Sequence, residues 1–393
     1  MAIYLDHAAT TPVRSEVVDA MLPYLTEVFG NPSSAHVFGR QARTALDEAR
    51  ERLASRLNAQ PREIVFTSGG TEANNLGLKG AAWAGKARGH RIVTSSIEHH
   101  AVGHTLRYLE KFGFEIVELP VDRYGRVDPE VVDAAVTDRT ILVSVMLANN
   151  EVGTIQPIAE IAERLTGRRG VVLHVDAVQG APWVDLDLEA LGADLVSLAA
   201  HKFEGPKGVG ALYVRHGTHL LAQQHGGSQE RHRRAGTESP ALAVGMATAY
   251  ELACAERPAT VKRVAALRDR LRDAVLAVDG AELTGHPRDR LPGLLSIVVH
   301  DTDGSSVALA LDLGGIATSV GSACATGSGE VSHVLSAMGY PDDEARGALR
   351  ISLGRTTSAE EIETASREIP PVLRAHRTGS VALAADPLAQ ASV

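Results

Sequence analysis

The sequence predicts an α/β protein: a large domain on a mostly parallel seven-stranded sheet, joined to a smaller α+β domain. Three observations carry this expectation. Seven short apolar runs alternate with helical patterns between Glu63 and Val214, which argues for parallel strands covered on both faces. Beyond Arg257 the order changes to a charged helix followed by a few mixed strands and helices. The 393 residues also exceed one usual domain, since domains commonly run ~100–200 residues.

The elements follow in order. EIVFTS (63–68) reads as a buried strand, and GGTEANNLGLKGAAW after it as a turn and helix. Further strands are RIVTSS (91–96), EIVEL (115–119), TILVSVML (140–147), VVLHVD (171–176), DLVSLAA (194–200) and VGALYV (209–214). EHHAVGHTLRYLEKF (98–112) and PIAEIAERL (157–165) have helical periodicity. Ligands in such sheets sit beyond the carboxyl ends of strands, so the loops after Ser68, Ser96, Leu147, Val175 and Ala200 are the expected site. The second region reads as helix VKRVAALRDRLRDAVLAV, strand LLSIVV (294–299), a helix at 305–313, strand IATSV (316–320), helix EVSHVLSAM (330–338) and strand ALRISL (348–353). The expected large domain is 15–256. Residues 1–14 and 257–376 form the small domain, and the Ala-rich stretch 377–393 is a disordered tail.

Composition narrows the function. A net charge of -9 argues against direct nucleic-acid binding, which wants a basic face. The one basic cluster, Arg231 to Arg234, reads as a solvated loop. No apolar run approaches the ~18 residues of a membrane span, and the first residues lack a signal-peptide pattern. Two cysteines seventy positions apart make neither a disulfide framework nor a CxxC metal site. The expected location is the reducing cytoplasm. Cys254 lies in an Ala- and Leu-rich helical run and reads as a core residue. Cys324 lies instead in GSACATGSGE (321–330), where nothing bulky buries it. It reads as a thiol on a mobile, solvent-reachable loop.

Three stretches carry chemistry. Lys202 directly follows a buried strand and precedes a Gly-Pro turn. It reads either as an exposed loop lysine or as a Schiff-base lysine at a strand mouth. GPKGVG is not a phosphate loop, because the GxxxxGK[ST] spacing is missing. Asp176 ends an otherwise apolar strand and should face a polar ligand. A pyridoxal-phosphate enzyme needs such a carboxylate, to keep its ring nitrogen protonated. TSGGTEANN puts small residues and Thr71 at a helix N-terminus, where free N–H groups suit a phosphate.

These stretches, with YLDHAATTP (4–12), GNPSSAH (30–36), IEHHAV (97–102), NNEVGTIQP (149–157), HVDAVQ (174–179), HKFEGPKGVG (201–210), RRAGTES (233–239), GSACATG (321–327) and LRISLGR (349–355), span nearly the whole chain. Together they resemble the pyridoxal-phosphate-dependent cysteine desulfurases of the NifS/IscS type, class-V aminotransferases. The resemblance implies fold type I, as in aspartate aminotransferase, and a homodimer. It implies that Lys202 binds the cofactor and moves the Cα proton, and that Asp176 pairs with the ring nitrogen. Gln179 would donate to the ring hydroxyl oxygen, and His99 would stack on the ring and shuttle a proton. Gly70, Thr71 and His201 would hold the phosphate, with Thr237 reaching in from the other subunit. Asn150 would touch cofactor and substrate, while Arg350 and Asn31 would grip the substrate carboxylate. Cys324 would attack the sulfur of L-cysteine, leaving L-alanine and a persulfide. That sulfur would pass to an acceptor such as an iron–sulfur scaffold or a tRNA-thiolation protein. A selenocysteine lyase or a Cys-independent β-lyase on the same fold is the alternative.

The chain departs from the family pattern at four places. Ala199 stands where Ser bonds phosphate, Glu204 where Tyr is usual, Ser239 where Asn is common, and Gly70 where Ala is common. Glu204 is expected to point away from the site. His100 and His104 have i,i+4 spacing that also suits zinc, but no third ligand is evident, and no metal is expected.

Overall fold

The computed structural model describes residues 2–321 and 331–377. Cys324 and most of the tail expected at 377–393 lie outside the described residues.

In chain order the strands are β1 (Ile3–Tyr4), β2 (Ile64–Thr67), β3 (Arg91–Ser95), β4 (Glu115–Leu119), β5 (Thr140–Ser144), β6 (Val172–Asp176), β7 (Leu195–Ala199), β8 (Gly210–Val214), β9 (Ala281–Leu283), β10 (Leu294–Val299), β11 (Ile316–Ala317) and β12 (Ala348–Ser352). Seven of them form one sheet in the order β2-β8-β7-β6-β5-β3-β4. All its pairings are parallel except those of β8, which runs antiparallel to β2 and β7. A loop over residues 200–209 joins β7 to β8, and antiparallel neighbours need no crossover helix. Strands β2, β5, β7 and β8 are buried along their whole length, as expected of strands covered on both faces. The order reverses between β3 and β5, since β4 lies outside β3. A crevice for ligand opens beyond the carboxyl ends at such a switch point.

A second core lies beside the first. Ile3 and Leu5 from the N-terminus pack there with Leu271, Leu295, Ile297, Leu349, Ile351 and Ile369. Its three-stranded antiparallel sheet has the order β12-β10-β9, and β1 pairs with β11. The two stretches read as separate helices on either side of Arg257 form one helix, Pro240–Leu276. Ala247 and Tyr250 belong to the first core, and Val264, Leu271 and Val275 to the second. Pro258 lies inside this helix, where it removes the N–H that would bond the carbonyl of Cys254 and sets its ring against that carbonyl. Cys254 packs half-buried against the first core. Ser239 caps the helix by accepting from the Leu242 N–H at 3.4 Å, a role Asn also serves. Among the described residues no helix is long and apolar enough to cross a membrane.

Candidate active site

Strand β6 supplies the floor. Asp176 is buried at its end, with Oδ1 accepting from the Val178 N–H (3.0 Å) and Oδ2 from Asn74 Nδ2 (2.6 Å). Burying a carboxylate is costly unless donors meet it, and here two do. Asn74 comes from the helix Gly70–Gly85 that follows β2. His174, two residues earlier on the same face, bonds Ser144 Oγ (2.9 Å) and Ser197 Oγ (3.1 Å). Burial holds its pKa down at about 4 against the pull of Asp176, so the ring is neutral at neutral pH.

The turn after β7 supplies the amine. Lys202 Nζ donates to the carbonyls of Ala8 (2.5 Å) and Ala9 (3.0 Å), so the N-terminal segment holds the lysine. His201 Nδ1 lies 3.2 Å from Thr10 Oγ1. Its pKa is lowered to about 4, first by burial and then by Lys202 and Lys207.

His99 sits at the start of the helix His100–Glu110, as its cap, rather than on a helix face. Its Nδ1 accepts from the Ala101 N–H at 3.0 Å, so a neutral ring carries its proton on Nε2. Burial lowers its pKa, while Asp176 pulls the other way. Beneath it, Glu98 is buried with its pKa pushed up to about 8 by desolvation. Glu98 Oε1 accepts from Ser95 Oγ (2.5 Å) and the Met146 N–H (2.9 Å), tying the ends of β3 and β5 together. The rings of His100 and His104 stack at 4.9 Å. Among the described residues no group of three His, Cys, Asp or Glu could hold a metal ion.

In the turn after β5, Asn149 does the folding. Its Oδ1 accepts from the N–H groups of Glu151 (2.8 Å) and Val152 (2.9 Å), which leaves the Asn150 side chain at the site. Arg350 on β12 is 2% exposed. Its Nη1 donates to the Asn150 carbonyl (3.0 Å) and its Nη2 to Asp6 Oδ1 (2.9 Å).

A cavity of about 280 Å³ gathers Gly70, Thr71, His99, Asn150, Asp176, Gln179, His201, Lys202 and Arg350. Two other candidates lie elsewhere in the single chain. Thr237 lines a separate cavity with Ser68 and Glu230. Asn31 is exposed, and its Oδ1 accepts from the Ser33 N–H at 2.9 Å. Sequence reasoning missed Asn74, Glu98, Glu151 and Asp6. Asn74 alone left a signal, three residues past Thr71 and so on the same helix face.

The departures have local explanations. Glu204 does not line this cavity, and it is not solvated either. It pairs with Arg355 (2.6 Å) and Arg14 (3.8 Å) at 12% side-chain exposure. A Cβ on Gly70 would stand 2.6 Å from Val178 Cγ2, so glycine here goes with valine at 178. Ala199 is buried in the cavity wall and brings no hydroxyl. Arg234 of the basic cluster is half-buried against Glu72 (2.8 Å), at the start of the Gly70–Gly85 helix, rather than solvated.

Comparison with known proteins matches residues 3–364 to the aminotransferase class-V family. A cysteine desulfurase IscS from Methanosarcina thermophila is 48% identical over 379 residues, covering 96% of this chain and 94% of the relative. A solved NifS-like protein superposes with a TM-score of 0.90 at 38% identity, covering 95% of this chain and 99% of that one. A structure described as SspA in complex with cysteine has a TM-score of 0.80 at 34% identity, covering 91% and 100%.

Proposed function

The chain belongs to the class-V aminotransferase family and is a cysteine desulfurase, and on that premise we propose that pyridoxal phosphate occupies the cavity and that Cys324 takes the sulfur of L-cysteine as a persulfide. The observation that carries this reading is a single cavity holding an amine, a buried carboxylate and an imidazole at strand ends, with a helix N-terminus beside them.

The residues present fit the cofactor. Gln179 Oε1 and Asn74 Oδ1 are buried without a partner, as happens where a polar ligand completes a wall. Gly70 leaves the helix start free of a side chain, and the N–H groups there suit a phosphate. When bound, pyridoxal phosphate supplies an aldehyde that condenses with amines and a ring that draws electrons from the substrate Cα, weakening the C–S bond.

The chain does the rest. Lys202 holds the cofactor aldehyde, and its amine, once released, moves the substrate Cα proton. Asp176, aimed by Asn74 and the Val178 N–H, receives the ring N–H, and Gln179 donates to the ring hydroxyl oxygen. Thr71, the Gly70 N–H and His201 hold the phosphate, and His201 does so as a neutral hydrogen-bonding group, given its low pKa. His99 covers the ring face and passes a proton at Nε2. Asn150 orients cofactor and substrate, and Arg350 receives the substrate carboxylate; Asn31, outside this cavity, takes no part in it within one chain. The fork of Arg350 matches two oxygens, and Asp6 holds it beside the cavity.

Cys324 Sγ, as thiolate, attacks the substrate sulfur. The new S–S bond forms as the C–S bond breaks, and the electron pair returns to the substrate carbon, which takes a proton to give L-alanine. Gly321 lies against Glu151 in the cavity wall. Three residues of chain span up to about 11 Å, which is length enough for the thiol to reach the cavity.

A homodimer suits the surface. Val18, Leu22, Leu25, Phe29, Val37 and Phe38 are all exposed, and an apolar patch of that kind marks an interaction face. Thr237 then serves the partner's site rather than its own. The sulfur passes from Cys324 to an acceptor, an iron–sulfur scaffold or a tRNA-thiolation protein, in the reducing cytoplasm. Two experiments test the whole. Borohydride reduction should leave a pyridoxyl mass on Lys202, and its absence refutes the cofactor assignment. Cys324→Ser should keep the cofactor absorbance and lose alanine production, whereas full activity in that variant returns the alternative of a Cys-independent lyase. Radiolabelled cysteine sulfur then identifies the acceptor.

A further inference from the structure

A smaller cavity, about 50 Å³, has Lys202 in its wall together with Phe203 of the first core and Leu353 of the second. Glu204, Glu256 and Arg355 stand in the same wall. With Arg14 they make a cluster of two carboxylates and two guanidinium groups. Arg355 Nε lies 2.6 Å from Glu204 Oε2 and 3.7 Å from Glu256 Oε2. Arg14 holds Glu256 through both Nη atoms, at 3.0 and 2.8 Å, and reaches Glu204 at 3.8 Å. The Arg14 and Glu204 side chains are 4% and 12% exposed, so they escape the screening that weakens surface pairs. The backbone of Glu204 is fastened too. Its N–H donates to Thr11 Oγ1 at 2.8 Å, and its carbonyl accepts from the Arg14 N–H at 3.1 Å. These bonds hold it at a φ of 61°, a left-handed conformation uncommon outside glycine that persists only where the surroundings impose it.

The two ends of the Glu204–Arg355 bond lie close in sequence to the two groups that meet the substrate. Glu204 follows Lys202 by two residues, and Arg355 follows Arg350 by five. The stretch leading to Arg14 touches both groups: the Ala8 and Ala9 carbonyls accept from Lys202 Nζ, and Asp6 accepts from Arg350. Lys202 acts on the substrate Cα and Arg350 on the carboxylate bonded to that carbon. Their relative placement therefore decides whether the Cα–H bond meets the amine, and a misplacement of about 1 Å costs up to about a hundredfold in rate. We infer that Glu204 is a positioning residue for the Cα proton step: bound to Arg355 and Arg14, it fixes the Lys202 amine relative to the Arg350 guanidinium across the boundary between the two cores. This rests on the reading of Lys202 as the base and Arg350 as the carboxylate site. Tyrosine, usual at this position in the family, brings no carboxylate, so the link is a property of this chain.

L-Alanine reports this step alone, because exchange of its Cα proton for deuterium in heavy water breaks no C–S bond. The test compares Glu204→Ala, Arg355→Ala, Arg355→Lys and the double alanine variant with the parent holoenzyme. Two quantities are read: cofactor absorbance, and the exchange rate at saturating L-alanine followed by NMR. Glu256 remains beside both Arg14 and Arg355 when Glu204 is gone, so Glu204→Ala should fold and keep the cofactor absorbance. Losing one charge-assisted hydrogen bond corresponds to about tenfold, and Glu204→Ala should slow exchange about tenfold on that ground. Arg355→Ala should do the same, and Arg355→Lys, which keeps the charge, should exchange faster than Arg355→Ala. The double variant should stay within about twofold of either single one, since two residues acting as a unit do not add. Exchange at the parent rate in Glu204→Ala overturns the inference. So do single effects that multiply to about a hundredfold in the double variant, because the pair then does not act as a unit. So does a loss of cofactor absorbance in step with exchange, which marks a merely structural role. Lys202→Ala separates the two levels: exchange at the parent rate there means that the reading of the amine has failed, whereas exchange abolished there but intact in Glu204→Ala strikes Glu204 alone.

Discussion

Replacing Gly70 by alanine tests how the phosphate end of the site is built. The new Cβ would stand 2.6 Å from Val178 Cγ2 and 3.4 Å from Ala199 Cβ. Carbon atoms prefer about 3.5–4.0 Å, so the contact with Val178 is too close by about 1 Å, while that with Ala199 is close to ordinary. Either the helix start or Val178 has to move. Overpacking of this kind costs about 1–3 kcal/mol, and the gain in helix propensity from Gly to Ala, at most about 1 kcal/mol, offsets part of it. Gly70→Ala should therefore destabilise the protein by about 1–2 kcal/mol and weaken phosphate holding at the displaced helix start. Val178→Ala alone should cost about 1 kcal/mol through lost packing. In the double variant the alanine at 70 occupies the space the valine methyls leave. The pair should then cost less than the sum by about 1–2 kcal/mol. Urea unfolding of all four proteins in the cofactor-free state gives the cycle, with cofactor titration alongside. Additive effects, or a Gly70→Ala protein as stable as the parent, refute the packing argument.

Three further outcomes follow from the site. The Glu98 carboxyl stays protonated in the fold to about pH 8 but ionises near 4.5 when unfolded, so stability falls as pH rises through that window. Glu98→Gln should remove that slope between pH 5 and pH 8 in denaturant titrations; an unchanged slope contradicts the assignment. His174 has the opposite sense, with a folded pKa of about 4 against 6.5 unfolded, so stability is lost as pH falls between those values. His174→Gln should flatten the acid limb, and a limb as steep as the parent's tells against it. Arg350→Lys replaces a two-oxygen fork with a point charge and should raise KM for L-cysteine about tenfold or more, with kcat less affected. An unchanged KM would take the substrate carboxylate away from Arg350.

Much of the architecture was legible because burial on both faces writes strands as unbroken apolar runs. EIVEL and LLSIVV match β4 and β10 to the residue, and Asp176 stood out as the one charge at the end of such a run. The misses share another cause. Asn74, Glu98, Glu151 and Asp6 act on partners distant in sequence, such as the 102 positions between Asn74 and Asp176, and no local pattern encodes those meetings. The helix through Arg257 was divided because its two halves face different cores and so differ in composition. Glu204 was expected outside the site, and it is, but its placement depends on Arg14 and Arg355, which come from remote elements.

The helix Pro240–Leu276 has a mechanical consequence. Its first turns are embedded in one core and its last in the other, so it acts as a common axle. Severing the chain near Arg257 would strip each half of the rod it packs around, and neither piece is expected to stand alone. Heating should melt the two halves together, in one calorimetric peak rather than two.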